Sequence, residues 1–343
     1  MNINDLINSD NIMFSKLKGN ELIEILDLIN SYYLEYRDVI NLNKNNTFGL
    51  ELEFEHSNNI KILNDLISNN LYTRWRISGD STLYRGAEIT SPILNDKVIN
   101  WDELGRVCNI VNKYARVGSG TGSHIHYGSQ ILEDNPEYYR NFLYLYAVYE
   151  NILFRFGYGE NNCARRGINK YAHYMALTFL KEVFSIDWNK TDQSIVDMIS
   201  PLMGDRYVAV NFNNMNDDNH YSIDYIKENG FDPSKTIIMD TIEFRFCNGT
   251  LNPIIWQNNI NCFGKLLERC TKELDYDLLH RRVSLNKEYF GNISFYKEIF
   301  LDQVLEFVDL VFDNNKDKIY FLRQYLKDYT VGFKTDKVKS FTR

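Results

Sequence analysis

Apolar residues alternate with carboxylates in the segment Phe48-Gly49-Leu50-Glu51-Leu52-Glu53-Phe54-Glu55-His56. Successive side chains of a β-strand point to opposite faces of the sheet, so this pattern predicts a strand with one apolar and one acidic face. A solvated edge strand has the same pattern, so the segment alone does not distinguish a functional site from an ordinary surface.

Other segments that are predicted to be extended also carry residues of the kind that bind metals. These residues are Asp80, Glu88, His124, His126 and Glu243. Several carboxylates on one face of a sheet repel one another unless cations neutralise them. Oxygen-rich sites of this kind suit Mg²⁺ or Mn²⁺, so the sequence predicts a metal and nucleotide site across the sheet.

Composition narrows the class of protein. The chain has 343 residues and a net charge of −8, which argues against a general nucleic-acid surface. No apolar run reaches the roughly 18 residues that a membrane-spanning helix needs. The five cysteines are odd in number and contain no C-x-x-C pair, a pattern typical of reduced thiols. We therefore expect a cytoplasmic protein that does not act at a membrane.

The first half of the chain contains helical and extended patterns in alternation. Helical spacing predicts a helix from Glu21 to about Ile40, and short strands are predicted over Arg74 to Ile77 and Gly86 to Ser91. Asn100, with Glu103 three residues later, resembles the capping box that starts a helix. The next predicted helix is long and aromatic, and it starts at Asn135-Pro136 and runs to about Phe156.

The second half is predicted to supply two more strands and then helices. Asp205 to Phe212 and Thr236 to Phe246 are predicted strands, and the polar stretch from Asn213 to His220 is predicted to be a surface excursion. Asn252-Pro253 is predicted to start a helix that ends near Lys272, and the remaining sequence is helical. We predict a helical lead-in over residues 1–47, a catalytic domain over 48–273 and a helical extension over 274–343.

The glycine-rich segment Gly118-Ser119-Gly120-Thr121-Gly122-Ser123 superficially resembles a phosphate-binding loop. It lacks the lysine of the G-x-x-x-x-G-K-[ST] motif and leads into a predicted strand, so a Walker or Rossmann site is not expected. Basic residues cluster further along, after the long helix. These residues are Arg155, Arg165, Arg166 and Lys170.

An ordered set of motifs resembles the amidoligase branch of the carboxylate-amine ligases, the superfamily that includes glutamine synthetase and glutamate-cysteine ligase. The resemblance runs from Gly49 to about Thr250. Its parts are Gly-x-Glu-x-Glu at Gly49 to Glu53, Asp80 with Glu88 and Ser91-Pro92, Gly-x-His-x-His at Gly122 to His126, Arg206-Tyr207 with Asn211, and Glu243-Phe244-Arg245.

The resemblance implies an α+β fold: a curved, largely antiparallel sheet, flanked by helices, with ATP and two or three Mg²⁺ or Mn²⁺ ions on its concave face. It implies one metal held by Glu53, Asp80 and Glu88. A second metal would be held by Glu51, His124 and Glu243. Catalytic roles are implied for Arg245, His126 and Arg206, and nucleotide contacts for Arg245, Arg165, Arg166 and Asn211.

The implied activity is the ATP-dependent joining of a carboxylate to an amine through an acyl phosphate. The partners would be a carboxylate substrate and an amine substrate, whether amino acid, peptide or protein side chain. Asp80 stands where glutamine synthetase commonly has a glutamate, and Asn211 stands where that enzyme has an arginine. The second departure leaves the identity of the carboxylate substrate open.

Two other interpretations remain at this point. His124, His126 and Glu243 could form the two-histidine, one-carboxylate site of an iron-dependent oxygenase. That interpretation gives no role to Glu51, Glu53, Asp80 and Glu88. The chain could also be a non-catalytic relative that binds nucleotide or metal without turning it over, although such relatives usually lose metal-binding residues.

Overall fold

The computed structural model describes residues 2–190, 192–215, 240–327 and 341–343. Most of the predicted polar excursion after Asn213, and the first residues of the strand predicted from Thr236, lie outside the described residues. The described strands are β1 Phe48–Phe54, β2 Arg76–Gly79, β3 Ala87–Thr90, β4 Gly122–Gly128, β5 Val210–Asn211 and β6 Thr241–Asn248.

Helices occupy both ends of the chain and the connections between the strands. The helices before β5 are α1 Ile3–Asn8, α2 Gly19–Ser31, α3 Asn59–Ser68, α4 Val98–Tyr114, α5 Pro136–Gly157, α6 Ile168–Tyr171, α7 Ala176–Ser185 and α8 Ile195–Ile199. Those after β6 are α9 Pro253–Cys270, α10 Tyr276–Asn286, α11 Leu301–Val311 and α12 Asn315–Leu326.

The six strands form one sheet in the order β2-β3-β1-β4-β6-β5, and every pairing is antiparallel. Leu50, Leu52 and Phe54 of β1 are buried, as the alternating pattern predicts. Helices cover this apolar face: Phe244 of β6 stacks on Phe263 of α9 with ring centroids 4.2 Å apart. The predicted α+β class, with an antiparallel sheet flanked by helices and a helical C-terminal region, is confirmed.

The two ends of the chain pack together through buried charges. The carboxylate of Asp309 in α11 accepts hydrogen bonds from the backbone amides of Phe14 and Ser15, at 2.9 and 2.7 Å, and pairs with Lys318 of α12 at 2.9 Å. One apolar cluster extends from Leu6 through the sheet to these helices. The three predicted regions therefore share a core, and their boundaries stay a prediction.

Three predicted elements differ from the structure. Helix α2 ends at Ser31, because the backbone from Tyr32 is extended and Leu34 bridges to Thr342 near the C-terminus. Asn100 does not start a helix: it lies inside α4, where its side chain donates to the carbonyl of Asn95 at 3.0 Å. The strand predicted from Asp205 is reduced to Val210–Asn211, preceded by an isolated bridge at Val208.

A buried carboxyl group in α5 makes the stability of the fold depend on pH. Glu150 accepts hydrogen bonds from the amides of Met175 and Ala176, at 2.5 and 3.1 Å, and from the hydroxyl of Tyr296 at 2.6 Å. Burial raises its pKa to about 7, although these hydrogen bonds act in the opposite direction. The folded state thus holds a proton that the unfolded chain, with a pKa of about 4.3, releases.

We therefore expect the free energy of unfolding to fall as the pH rises from about 4 to about 7, because the folded state binds more protons in that window. Glu150→Gln removes the titration and keeps an oxygen for the two amides. This variant should be more stable than the wild type at pH 8, by up to about 3–4 kcal/mol, and close to it at pH 4. Urea unfolding at both pH values measures this, and an equal pH dependence in both proteins would contradict it.

Candidate active site

The face of the sheet opposite the apolar core gathers the predicted metal-binding residues by strand register. Glu51 of β1 lies opposite His124 of β4, and Glu53 lies opposite Glu88 of β3. His126 of β4 lies opposite Glu243 of β6. Residues that are far apart in sequence therefore become neighbours on adjacent strands, about 5 Å apart.

Glu51 lies at the centre of this face. Its two carboxylate oxygens are hydrogen-bonded to different histidines: Oε2 to Nδ1 of His124 at 2.8 Å, and Oε1 to Nε2 of His126 at 3.0 Å. Burial acts to raise the pKa of Glu51, but the hydrogen bonds and charges of the two histidines lower it more, so the pKa lies below its usual range. Glu51 is therefore a carboxylate at neutral pH.

Within the described residues, the structure brings one group of three candidate metal ligands together. One ligand atom from each of Glu51, His126 and Glu243 lies within 4.8 Å of the others. The family resemblance implies His124 as the histidine of this set and a catalytic role for His126. In the register of β4 on β6, His126 lies directly opposite Glu243, and His124 lies at the register shift between Ser123 and Ile125.

His124 remains close to both predicted metal sets. Its Nδ1 is 3.7 Å from Oε1 of Glu243, and its Nε2 is 3.5 Å from Oε1 of Glu53. This Nε2 atom is buried without a hydrogen-bond partner among the described residues. Nitrogen and oxygen ligands of one small divalent ion lie about 3–3.5 Å apart, so His124 and Glu53 fit such an ion.

The remaining carboxylates of the first predicted set are near one another but are not gathered into a group as tight. Glu88 accepts a hydrogen bond from the hydroxyl of Ser78 at 3.0 Å. Burial raises the pKa of Glu88, and the charges of Glu51, Asp80 and Glu53 raise it further. This repulsion is what the sequence predicts for an acidic face, and a bound cation would relieve it.

Asp80, the third carboxylate of the first predicted set, caps a turn in this structure. Its Oδ1 accepts hydrogen bonds from the backbone amide and the hydroxyl of Thr82, both at 2.7 Å, so it caps the turn between β2 and β3. Its other oxygen makes no hydrogen bond within the described residues. Asp80 is therefore placed at the edge of the acidic face, beside Glu88.

Glu243 joins the metal-ligand group to the basic residues. Its Oε1 pairs with the guanidinium group of Arg245, and its Oε2 accepts a hydrogen bond from Nδ2 of Asn211 at 2.9 Å. Only 5% of the Glu243 side chain is exposed, so these two contacts fix its orientation. Burial lowers the pKa of His126, but the hydrogen bond to Glu51 and the charge of Glu243 raise it more.

The predicted basic residues separate into two kinds. Arg165 is buried beside the site: it donates to the carbonyl of Arg245 at 3.1 Å, and its guanidinium group lies against Gly122. A Cβ on Gly122 would come within 2.8 Å of Arg165 Cζ, so only glycine permits this approach. Arg166 and Arg206 are exposed, and Arg206 lies over the ring of Tyr207.

Several contacts that complete the site could not be predicted from the sequence. The amide of Gly122 donates to Oε2 of Glu53. Nδ2 of Asn214 lies 3.3 Å from Nδ1 of His126 and donates to the hydroxyl of Thr241 at 3.0 Å, so these two side chains hold the far side of the imidazole ring. Neither Asn214 nor Thr241 belongs to a motif, although Thr241 shares a strand face with Glu243.

Two further observations concern the whole chain. All five cysteines are free thiols in the structure. None of the described helices combines the length and the apolar character of a membrane-spanning segment.

Comparisons with known proteins point to one family. A family model described as "Putative amidoligase enzyme" matches residues 74–266, which is more than half of the chain. No curated protein matches. A solved structure titled "Crystal structure of novel glutamine synthase homolog" is 11% identical, with a TM-score of 0.38, and the alignment covers 81% of this chain and 70% of that one. The family match alone shows that this chain belongs to the amidoligase family.

Proposed function

We propose that the protein is an ATP- and Mg²⁺-dependent carboxylate-amine ligase that forms an amide or isopeptide bond through an acyl phosphate. The observation that carries the proposal is the group of Glu51, His126 and Glu243, with Arg245 bonded to Glu243, on an otherwise polar sheet face. Phosphoryl transfer requires positioning and charge neutralisation more than a protein nucleophile, and this face offers both.

The donor atoms fit two neighbouring divalent cations. Glu51, Glu243 and His126 would hold one, and Glu53 with Glu88 and the unpartnered Nε2 of His124 would hold another. Bound Mg²⁺ ions would neutralise the charge of the nucleotide phosphates. In this assignment His124 would be a ligand of the same ion as Glu53, and His126, not His124, would share an ion with Glu243.

The proposed reaction has two steps. A substrate carboxylate oxygen attacks the γ-phosphorus of ATP and ADP leaves, and then the amine nitrogen displaces phosphate from the acyl carbon and loses a proton. One carboxylate oxygen departs with the phosphate. Arg245 and the buried Arg165 supply fixed positive charge beside the carboxylates, where a phosphoryl group that gains charge would lie.

Other side chains keep these groups in place. Asn211 bonds one oxygen of Glu243 and leaves the other to face Arg245 and the histidines. The amide of Gly122 does the same for Glu53. Preorganised contacts of this kind spare the site from reorganising during the reaction.

Calorimetry with a non-hydrolysable ATP analogue tests the metal and nucleotide part of the proposal. We expect binding with Mg²⁺ present and binding at least about tenfold weaker in EDTA, because this many carboxylates repel the phosphates unless cations intervene. Equal binding under both conditions would contradict the metal assignment.

Product analysis tests the reaction type. With pooled carboxylates and amines, an acyl-phosphate ligase releases ADP and phosphate, whereas an adenylating ligase releases AMP and pyrophosphate. An iron-dependent oxygenase would need no ATP. The described metal-ligand group, with two carboxylates and one histidine, does not favour that alternative.

A further inference from the structure

A small cavity of about 210 Å³ opens beside His126, on the same face of the sheet as the metal-ligand group. The segment Ser91–Ile93, which follows β3, forms one wall, and Asn214 and Thr241 form another. His126 belongs both to this cavity and to the group with Glu51 and Glu243. Whatever occupies the cavity therefore lies next to the proposed site of phosphoryl transfer.

The cavity exists because β1 carries a glycine at a position where its neighbours carry carboxylates. Gly49 is two residues before Glu51 and lies opposite His126, so a side chain at position 49 would project from the acidic face. A Cβ there would lie 3.8 Å from Cβ of His126, an ordinary contact. The protein can thus accept a small side chain at position 49, but that side chain would take space from the cavity.

The described lining of the cavity carries little charge. It includes no Arg, Lys, Asp or Glu, and its one titratable side chain is His126. The polar groups that remain are neutral, namely the amide of Asn214 and the hydroxyls of Thr241, Ser91 and Thr47. An ammonium or carboxylate group that gave up its water against the described part of the lining would find no opposite charge there, and this costs free energy.

The volume also limits the occupant. A water molecule occupies about 30 Å³ in the liquid, so the cavity has room for about seven waters, or one short stem with an adjoining amide. It is smaller than the about 300–1,000 Å³ of pockets that enclose whole ligands. A peptide could place one residue here while the rest of its chain stays in solvent.

We propose that this cavity binds the uncharged, amide-blocked stem of one ligation substrate, so that the enzyme acts on side chains within a peptide or protein and not on free amino acids. The inference rests on the proposed function, because it needs a reacting group that extends from the cavity towards His126 and Glu51. The neutral donors and acceptors of the cavity would then contact the peptide groups of the substrate. The only charge on the bound substrate residue would be that of its reacting carboxylate or amine.

Two matched pairs of compounds test the inference. The first pair is N-acetyl-glutamate α-methylamide and free glutamate, and the second is N-acetyl-lysine methylamide and free lysine. Each compound is titrated calorimetrically into the full chain, saturated with Mg²⁺ and a non-hydrolysable ATP analogue. We expect at least one blocked compound to bind about tenfold more tightly than its free counterpart, since the free form brings extra charges to a neutral lining.

Gly49→Ala and Gly49→Val locate the binding. We expect the affinity for the blocked compound to fall in steps, by about tenfold or more for valine, while the affinity for the Mg²⁺–nucleotide stays within about twofold. Gly79→Val is the matched control in β2, because a Cβ on Gly79 meets nothing within 4 Å. That variant should bind the blocked compound as the wild type does.

The outcomes separate this inference from the proposed function. Tighter binding of the free amino acids, no binding of any of the four compounds, or unchanged binding by Gly49→Val overturns the inference. If the wild-type protein shows no Mg²⁺-dependent nucleotide binding, the proposed function is overturned instead. ADP formation with free amino acids as the better substrates would leave the ligase proposal standing and refute only the peptide preference.

Discussion

Glu51→Gln is expected to lower ATP turnover by at least about 100-fold, because the amide loses the negative charge that both histidines and a cation require. The two carboxylate oxygens of Glu51 are hydrogen-bonded to His124 and His126, at 2.8 and 3.0 Å. The substitution keeps the shape of the side chain, so the protein should stay folded, with a modest loss of stability from the weakened hydrogen bonds.

Steady-state ADP release and thermal unfolding of the same preparations measure the two effects. Glu24→Gln is the control, since it makes the same chemical change on the exposed side of α2. If Glu51→Gln turned over ATP at the wild-type rate, Glu51 would not be part of the active site. An unfolded Glu51→Gln protein would show that the central strand carboxylate is structural.

Asp309→Ala is expected to destabilise the protein by about 3–5 kcal/mol, because it leaves the ammonium group of Lys318 buried without its carboxylate. At most 4% of the side chain of Asp309 or of Lys318 is exposed to solvent. The same substitution removes the acceptor of the Phe14 and Ser15 amides, so the N-terminal segment should also lose protection from hydrogen exchange.

Urea unfolding gives the change in stability, and Asp102→Ala provides the comparison. Asp102 pairs with Arg106 on α4 at 3.0 Å, but more than a third of each side chain is exposed. Exposed pairs contribute about 0–1 kcal/mol, so this variant should differ little from the wild type. Similar losses in both variants would mean that burial does not determine the strength of the Asp309 pair.

The residue types of the site could be predicted from the sequence because alternation along β1 fixes which side chains share a face. Leu50 and Leu52 are buried on one side, and Glu51 and Glu53 contact the histidines on the other, as the period of two requires. The helix that starts at Pro136 was equally predictable, since Asn135 caps it and proline fits its first turn.

The pairing of particular residues could not be predicted, because it depends on register between strands. His124 and His126 are equivalent in a Gly-x-His-x-His motif, and they are distinguished by the register of β4 on β6, which pairs His126 with Glu243. The early end of α2 has a similar cause. Residues 32–40 keep an apolar pattern, but the bridge from Leu34 to Thr342 at the other end of the chain competes with the helix.

The order of the strands also constrains how the protein is made. β6 is the last of the described strands in the chain, and the metal-ligand group takes Glu51 from β1 and Glu243 from β6. A nascent chain that has emerged only as far as β4 already carries most of the acidic face but lacks Glu243 and Arg245. Contacts between residues this distant in sequence form late and slowly. The metal-ligand group can therefore form only after β6 has been synthesised.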